Sequence, residues 1–459
     1  MNSRVNSANV LHDLIASVGG SVHLPGADES ARGPAICNGA VDRRPAVVVK
    51  CRNADEVRLA VRAARLRNFP LSVRGAGHDW VGQSMRHDGM VIDLSAMRHV
   101  NVDPITRIAT VEGGATAADV IGAARQYGLV AVTGNIGAVG MAGLTLGGGY
   151  GPLTPKFGLA LDNLLNAEVV LEDGSLVTAD CTNNGELFWA VRGGGGNFGV
   201  VVSMRIRLHP LSQVLGGVIA FPWSEARTVL HAYCALMSSA PDELSVLGGI
   251  FPTLDGQPAL FLAPAWCGDP ARGQPVIAEL RSLGSPLFSN VGMMSYADML
   301  ARFDAHLING RSYAVQTRWM ADLSSDTVAA LIAAGNTRSS TTSIIALQHF
   351  HGTGTRIATS ATAFGLRRRH FMIGIVASWD PVAGDDGAAH RQWACSLSSS
   401  LEPSAIAGGY ANLLAADAYE QVDAAYGCNA LRLRRLKKRF DPDGVFACRN
   451  SSFPLNQGS

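Results

Sequence analysis

The chain has 459 residues, with 38 basic and 37 acidic side chains and a net charge of +1. At 47% hydrophobic and 16% charged it carries material for a large core and little for disorder. Its balanced charge argues against a nucleic-acid or anionic-membrane partner, and no apolar run approaches the roughly 18 residues of a membrane helix. Length alone allows two or three domains. The opening residues, MNSRVNSANVLHDLIASVGG, lack a charged region followed by an apolar one, so no signal peptide is expected. The eight cysteines (Cys37, Cys51, Cys181, Cys234, Cys267, Cys395, Cys428 and Cys448) are dispersed with no CxxC spacing. They read as reduced thiols of a cytoplasmic protein, neither a disulfide frame nor a zinc site.

In chain order, Pro45–Cys51 (PAVVVKC) is apolar and β-branched, the pattern of a buried strand. Ala54–Arg67 follows with apolar residues at helical spacing, and Asp55 and Glu56 fall in a first turn where the helix dipole favours acids. Leu71–Arg74 reads as a strand that runs straight into a glycine turn. Met90–Leu94, Ile108–Glu112, Glu168–Leu171 and Val200–Leu208 read as further strands, and Ala117–Gln126 and Glu186–Val191 as helices. After His209-Pro210 glycine thins out. Strands such as Val214–Ala220 and Ala259–Pro264 then alternate with helices near Ser224–Met237 and Gln274–Ser282, which sets a boundary near residue 212. A last stretch from about Pro403 holds one helix, Tyr419–Arg439, closed by Asp441-Pro442. It is too short for a core of its own and is expected to dock on another domain.

The 51 glycines are strongly clustered. Three segments stand out: RGAGHD (Arg74–Asp79) after a strand, the run from Gly134 to Gly151 (GNIGAVGMAGLTLGGGYG), and RGGGGNFG (Arg192–Gly199). Such loops let backbone approach a ligand and aim amide groups at an anion, so a diphosphate-containing cofactor suits them. One loop alone would read as a tight turn in a β-rich domain; three together point to a ligand. Gly194–Gly199 formally reads GxGxxG, but that fingerprint needs a helix next, and VVVSMRIRLHP alternates as a strand. No GxxxxGK[ST] occurs, which removes the P-loop class. His78 lies one residue past a glycine turn at a strand end, where functional side chains are commonly presented, although a lone histidine is more often an ordinary polar residue.

Taken together, DRRPAVVVKC (Asp42–Cys51), RGAGHDWVGQS (Arg74–Ser84), the run ending LGGGYG, KFGLALDNLLNAEVVLEDG (Lys156–Gly174), LFWAVRGGGGNFGVV (Leu187–Val201), TAFGLRRR (Thr362–Arg369), GGYANLL (Gly408–Leu414) and LKKRFDPDGVF (Leu436–Phe446) form a familiar series. In this order they resemble the FAD-linked oxidases of the berberine-bridge-enzyme type, whose FAD-binding fold is named after vanillyl-alcohol oxidase and p-cresol methylhydroxylase (PCMH). The likeness spans essentially the whole chain. It implies an α+β fold in three parts: a two-subdomain PCMH-type FAD-binding domain over residues 1–212, a substrate domain over 213–402 with a large antiparallel sheet covered by helices, and a segment, 403–459, that completes the FAD-binding domain.

The resemblance also implies a site. The family's R-x-x-G-H histidine, which bonds covalently to the flavin 8α-methyl carbon, matches His78. Cofactor contacts are expected from Arg74, Gly75, Ala76, Gly77, Asp79, Gln83 and Ser84 in the first loop. The second would supply Gly134, Gly137, Val139, Gly140, Gly143, Leu144, Gly147, Gly148 and Tyr150. Asn197, Gly199, Val200 and Val201 follow in the third, with Tyr410 and Asn412 near the C-terminus. Many members add a cysteine link, but Ile136 stands at that position, so a single link through His78 is expected. A glutamate that serves some members as base is replaced by Gln348, in QHFHG. Tyr410, in the retained Y-x-N motif, is therefore the expected base, with Tyr150, His349 and His351 as substitutes. A phenol of ordinary pKa near 10 would need neighbouring cations or hydrogen bonds to lower it.

His349 and His351 would share one strand face, but a pair without a third ligand is a weak metal site, and polar contacts in the active site are the expected role. Arg432–Arg439 reads as a solvated basic helix face, and Arg367–Arg369 reads similarly. Val139 matches a position where side chains control O2 access. The implied reaction moves a hydride from a hydroxylated or amine-bearing small molecule, expected to be a secondary metabolite, to FAD, with O2 returning H2O2. A mono- or oligosaccharide substrate and a non-oxidative cyclase or dehydratase are the rivals. No metal, nucleic acid or membrane partner is expected, and the chain is expected to act as a monomer or homodimer.

Overall fold

A computed structural model describes residues 22–24, 36–253, 255–304, 308–382, 385–414 and 418–446. The opening twenty residues, read as lacking a leader, and Cys448 lie outside them. The β-branched run at Val47–Lys50 pairs parallel with Met90–Asp93, which pairs parallel with Leu71–Arg74 on its other side. Val47, Val48 and Val49 are all buried, as befits a parallel sheet covered on both faces. Helix Ala54–Leu66 lays Val57, Ala60, Val61 and Ala64 against this sheet, and its first turn is closed by the Asn53 side chain accepting from the Glu56 amide.

A second sheet is antiparallel, in the order Val100–Asp103, Ile108–Glu112, Val200–Arg207, Leu164–Val170, Leu176–Ala179. Its central strand leaves the third glycine loop directly, so the GxGxxG of that loop precedes a strand. Helix Ala117–Arg125 packs Val120 and Ala124 into the core beneath, held at its start by a reciprocal Thr116–Asp119 capping box.

The third sheet is large and antiparallel, built from strands between Val214 and Ile406. Helices Ala226–Ser238, Pro270–Arg281, Ser325–Asn336 and Ala388–Leu401 cover one face through residues such as Tyr233, Ile277, Leu331 and Leu397. Its other face turns toward the glycine loops. The whole is an α+β fold.

Four local expectations are corrected. Val214–Ala220 is two strands, because Val214–Gly216 pairs with Gly292–Met294 while Ile219–Phe221 pairs with Phe288–Ser289. Part of the second glycine run, Met141–Gly147, is a helix, since Met141, Ala142, Thr145 and Leu146 recur on a buried face. The helix expected over Tyr419–Arg439 breaks into Tyr419–Ala425 and Ala430–Phe440. Gly427 turns through a φ of +47° between them, and the Asn429 amide donates to the carbonyls of Thr359 (2.9 Å) and Thr362 (3.1 Å).

The basic residues, lastly, are not all solvated. Lys437 is fully buried, donates to the Asn197 carbonyl at 2.6 Å and pairs with Asp441. Arg367 is buried too, and its guanidinium meets the Asp162 carboxylate through two bonds of 2.9 Å. Arg367 precedes a strand of the large sheet, and Asp162 lies in the turn Ala160–Asn163 beside the second glycine run. The pair therefore ties the two halves together. Asp162→Ala leaves a buried, unpaired guanidinium and should cost about 3–5 kcal/mol, read as a lower midpoint in chemical denaturation; an unchanged midpoint would mean that the pair does not hold the halves together.

Candidate active site

One cavity of about 1430 Å³ lies between the glycine loops and the open face of the large sheet. The first loop is shaped by Asp79, whose carboxylate accepts the backbone amides of Val81, Gly82 and Ser84 (3.1, 3.1 and 2.6 Å) and the Ser84 hydroxyl (2.8 Å). That compact turn leaves His78 on the cavity, edge-on to Trp80 at 5.3 Å. The His78 Nε2 is buried with no hydrogen-bond partner among the described residues. Burial lowers its pKa below the ordinary imidazole value, so the ring is neutral near pH 7.

The second run is pinned from behind. The amides of Ala117 and Ala118, at the start of helix Ala117–Arg125, donate to the carbonyls of Val139 and Gly137, both at 2.9 Å. Helix Met141–Gly147 then presents Gly143 to the cavity, where an added Cβ would meet nothing within 4 Å. The third loop is tied to the second, because Gly193 and Gly195 both donate to the Leu146 carbonyl (2.8 and 3.0 Å).

The C-terminal segment closes this floor. The Tyr410 hydroxyl oxygen accepts the Gly149 amide at 2.9 Å and the Asn412 side-chain amide at 3.0 Å. Its ring stands edge-on to Tyr150 at 4.9 Å. Tyr150 is bonded at 2.8 Å to His370 Nε2, and His370 Nδ1 faces the Arg368 carbonyl at 2.7 Å. Because that carbonyl can only accept, Nδ1 carries the proton and Nε2 accepts from Tyr150. Burial pushes Tyr150 well above the ordinary phenol value. The expected lowering of Tyr410 is not found: burial pushes it up to about 12, opposed in part by the Gly149, Asn412 and Tyr150 donors.

Of the expected residues, Gly75, Ala76, Gly77, His78, Asp79, Gln83, Ser84, Gly134, Val139, Gly140, Gly143, Leu144, Gly147, Tyr150, Asn197, Gly199, Val201, Gln348, Tyr410 and Asn412 line this cavity. Four do not. Arg74 turns beneath the loop to Asp93 at 3.0 Å. Gly137 faces Asp304, whose carboxylate accepts its amide at 2.6 Å. Gly148 is covered by the Tyr410 ring, and Val200 points into the opposite core because the strand alternates.

His349 and His351 are also off the site. Alternation sends His349 toward Phe371 behind the sheet, where its Nδ1 lies 3.0 Å from that of His351. No group of three potential metal ligands occurs among the described residues. Sequence reasoning missed Trp80 and Asn135, which sit inside motifs it had marked. It also missed the apolar side chains of the sheet, such as Leu247, Phe261 and Met372, which come from distant strands.

Residues 45–180 match the model of the FAD binding domain, and residues 409–451 match the berberine and berberine-like model. An FAD-linked oxidoreductase of Dictyostelium discoideum is 26% identical over 460 residues, spanning 99% of each chain. The chain belongs to the berberine-bridge-like FAD-linked oxidoreductases. (R)-6-hydroxynicotine oxidase of Paenarthrobacter nicotinovorans is 33% identical over 264 residues, 56% of this chain and 57% of that one. The crystal structure of 6-hydroxy-D-nicotine oxidase from Arthrobacter nicotinovorans superposes with a TM-score of 0.85 at 27% identity, covering 95% of this chain and 97% of the other. Berberine bridge enzyme in complex with (S)-reticuline, at 20% identity and TM-score 0.85, covers 98% of this chain and 99% of its own and shares the fold. The PCMH-type FAD-binding architecture is thus that of this oxidoreductase. Its residues fit the cofactor: an unpartnered buried imidazole nitrogen faces the cavity, Gly143 leaves open space on its wall, and the volume exceeds the roughly 300–1,000 Å³ of a single small-molecule site.

Burial also sets an acid limit on this oxidoreductase. His349, His370 and His209 are held at about 2, about 4 and about 4, mainly because burial disfavours their charged forms. The unfolded chain binds these protons near pH 6.5, so it takes up more protons than the folded one below that value. Stability is therefore fully present above about pH 6.5 and is lost as pH falls toward 4. Thermal midpoints should drop across that window, with a shallower slope in His349→Asn; equal slopes would remove His349 from the account.

Proposed function

We propose that this chain is an FAD-dependent oxidase acting on a hydroxylated or amine-bearing, largely apolar small molecule, with the cofactor held by one covalent bond at His78. The observation that carries the reading is the position of the Tyr410 oxygen, held by two N–H donors where the glycine-lined and apolar halves of one cavity meet. Bound FAD supplies two-electron oxidation, with O2 as final acceptor and H2O2 as product. The chain supplies the rest. His78, neutral and unpartnered, is the residue that would anchor the cofactor, and Ile136 and the absence of any cysteine on the described cavity wall favour a single link. Tyr410 receives the substrate's proton, and the Gly149 and Asn412 donors stabilise the phenolate form that can accept it.

Similarity to the hydroxynicotine oxidases supports a ring-bearing substrate with a hydroxyl or amine. A carbohydrate is disfavoured by the centre of the sheet side of the cavity, where Leu247, Ala263, Ile344, Ala346 and Val376 offer no hydrogen bonds, while Thr342 and Ser378 further along the sheet bond to each other at 3.3 Å. We also propose that residues 1–212 and 403–459 hold the cofactor and 213–402 the substrate. Support comes from the span of the large sheet and from the packing of Leu433, Leu436 and Phe440 with Leu187 and Phe198. The seven described cysteines are all free, which supports a cytoplasmic location.

Mass spectrometry of the denatured, digested protein should find flavin on the peptide containing His78; flavin released on denaturation would overturn the covalent link. Tyr410→Phe should slow flavin reduction by substrate about a hundredfold or more. Because the phenol is held above its ordinary value, kcat/KM should climb about tenfold per pH unit through the neutral and mildly alkaline range if Tyr410 is the base. A flat profile, with an unchanged single-turnover rate in Tyr410→Phe, would exclude it.

A further inference from the structure

The sheet side of the cavity has one polar side chain at its centre. Along strand Ile344–Phe350, alternation turns Ile344, Ala346 and Gln348 to the cavity while Ile345 and Leu347 enter the helix-covered core. Leu247 and Met372 stand directly opposite Gln348 on the two neighbouring strands, and both line the cavity. Beside them Gly374 pairs with Ala346, and a Cβ added at Gly374 would meet only the Ala346 Cβ, 4.0 Å away. The floor is thus shallow and apolar. Phe251, Phe261 and Phe288 stand along it edge to face, at 5.9 and 6.1 Å.

Into this floor Gln348 brings an amide that is only 4% exposed. Its Oε1 accepts from Asn135 Nδ2 at 3.0 Å, and Asn135 belongs to the glycine run on the opposite wall. With the oxygen engaged, the Nε2 group is left as a donor that bonds to no other described residue. Leaving such a donor without an acceptor is costly in an apolar setting, and a flat ring system lying on this floor could bring one.

We propose that Gln348, oriented by Asn135, is the hydrogen-bond donor that registers a carbonyl or phenolic oxygen of a flat, ring-bearing substrate. The proposal rests on the reading of the cavity as an oxidation site and names the substrate class for it. Gln348 then takes no proton, and Asn135 is a positioning residue that fixes which end of the amide faces the substrate. One donor at the centre of an apolar stretch of floor selects for the place of one oxygen and against hydroxyls spread over Leu247, Ala346 and Met372, each of which would lose its water partners there.

The test uses the holoenzyme and two flat probes, 1-indanone, which carries one carbonyl, and indane, which lacks it, with binding followed by calorimetry. The wild type should bind 1-indanone about 3- to 10-fold more tightly than indane, the range of one neutral hydrogen bond. Gln348→Met, which keeps the volume, should bring that ratio to about one with indane affinity changed less than about twofold. Asn135→Ala should lower the ratio with Gln348 intact, and supplies the test if Gln348→Met loses flavin absorbance. Equal affinities in the wild type, or a ratio untouched in both variants, would overturn the donor role while leaving the oxidation site standing. Failure of both probes to bind a protein whose flavin is still reduced through Tyr410 would overturn the ring-bearing substrate class instead.

Discussion

A Cβ at Gly147 would run into the Asn412 amide, and one at Gly148, where φ is +147°, would come within 2.9 Å of the Tyr410 ring. Residues 410–412 can therefore lie on this backbone only because side chains are missing from it. Nearly everything else in the site follows from that approach. It lets the Gly149 amide reach the Tyr410 oxygen, sets Tyr410 against Tyr150, and through the Tyr150–His370 bond fixes the cofactor loops against the first residue of strand His370–Trp379. The glycines of the second run thus have two tasks. Gly140 and Gly143 border the cavity, Gly148 admits the C-terminal segment, and Gly147 does both.

This division explains what could be read from the residues and what could not. Local elements with a strong period were legible: Leu71–Arg74 and Ile108–Glu112 have the bounds that their patterns imply, and Ala54–Leu66 ends one residue early. The cavity's glycine half was legible because its residues are contiguous in three motifs. Its apolar half was not, since Leu247, Phe261, Ala346 and Met372 come from four strands whose order a sequence does not state. Within the motifs, composition could not separate glycines that face a ligand from glycines that face Tyr410. The break at Gly427 was hidden for the opposite reason: the flanking residues keep helical spacing, and the turn depends on Asn429 finding the carbonyls of Thr359 and Thr362 some 67 to 70 positions away.

The same limit applies to charge. RRR at Arg367–Arg369 and the basic helix Ala430–Phe440 look like solvated surface, yet each hides one buried cation. Arg367 closes on Asp162 and Lys437 on Asp441, and Arg74 beneath the first loop closes on Asp93. The pairs join the cofactor half to the large sheet, the C-terminal helix to the turn that follows it, and the first loop to the neighbouring strand. Arg311 reaches the cavity but is engaged by Asp380 at 2.8 Å.

Those pairings determine the electrostatics of the chemistry. A tyrosine base is commonly imagined beside a cation that lowers its pKa, but the buried cations here are already matched to carboxylates, and none figures among the influences on Tyr410. Burial dominates, and Tyr410, Tyr150, His349 and His370 are all held in their neutral forms. What favours the phenolate is therefore local and directional: N–H groups aimed at one oxygen in a medium of low dielectric, where such bonds are stronger than in water. On the proposed function, a site of this kind gains little from attracting charged ligands and much from holding an apolar molecule with its reacting hydroxyl or amine against Tyr410. Gln348, the polar side chain at the centre of its floor, is neutral for the same reason. A carboxylate there would be buried among Leu247, Met372 and Ala346 with no cation to meet it, and its pKa would rise until it was protonated. A glutamine there keeps a polar group in the apolar floor without that cost, which accords with the proposal that Tyr410 handles the proton.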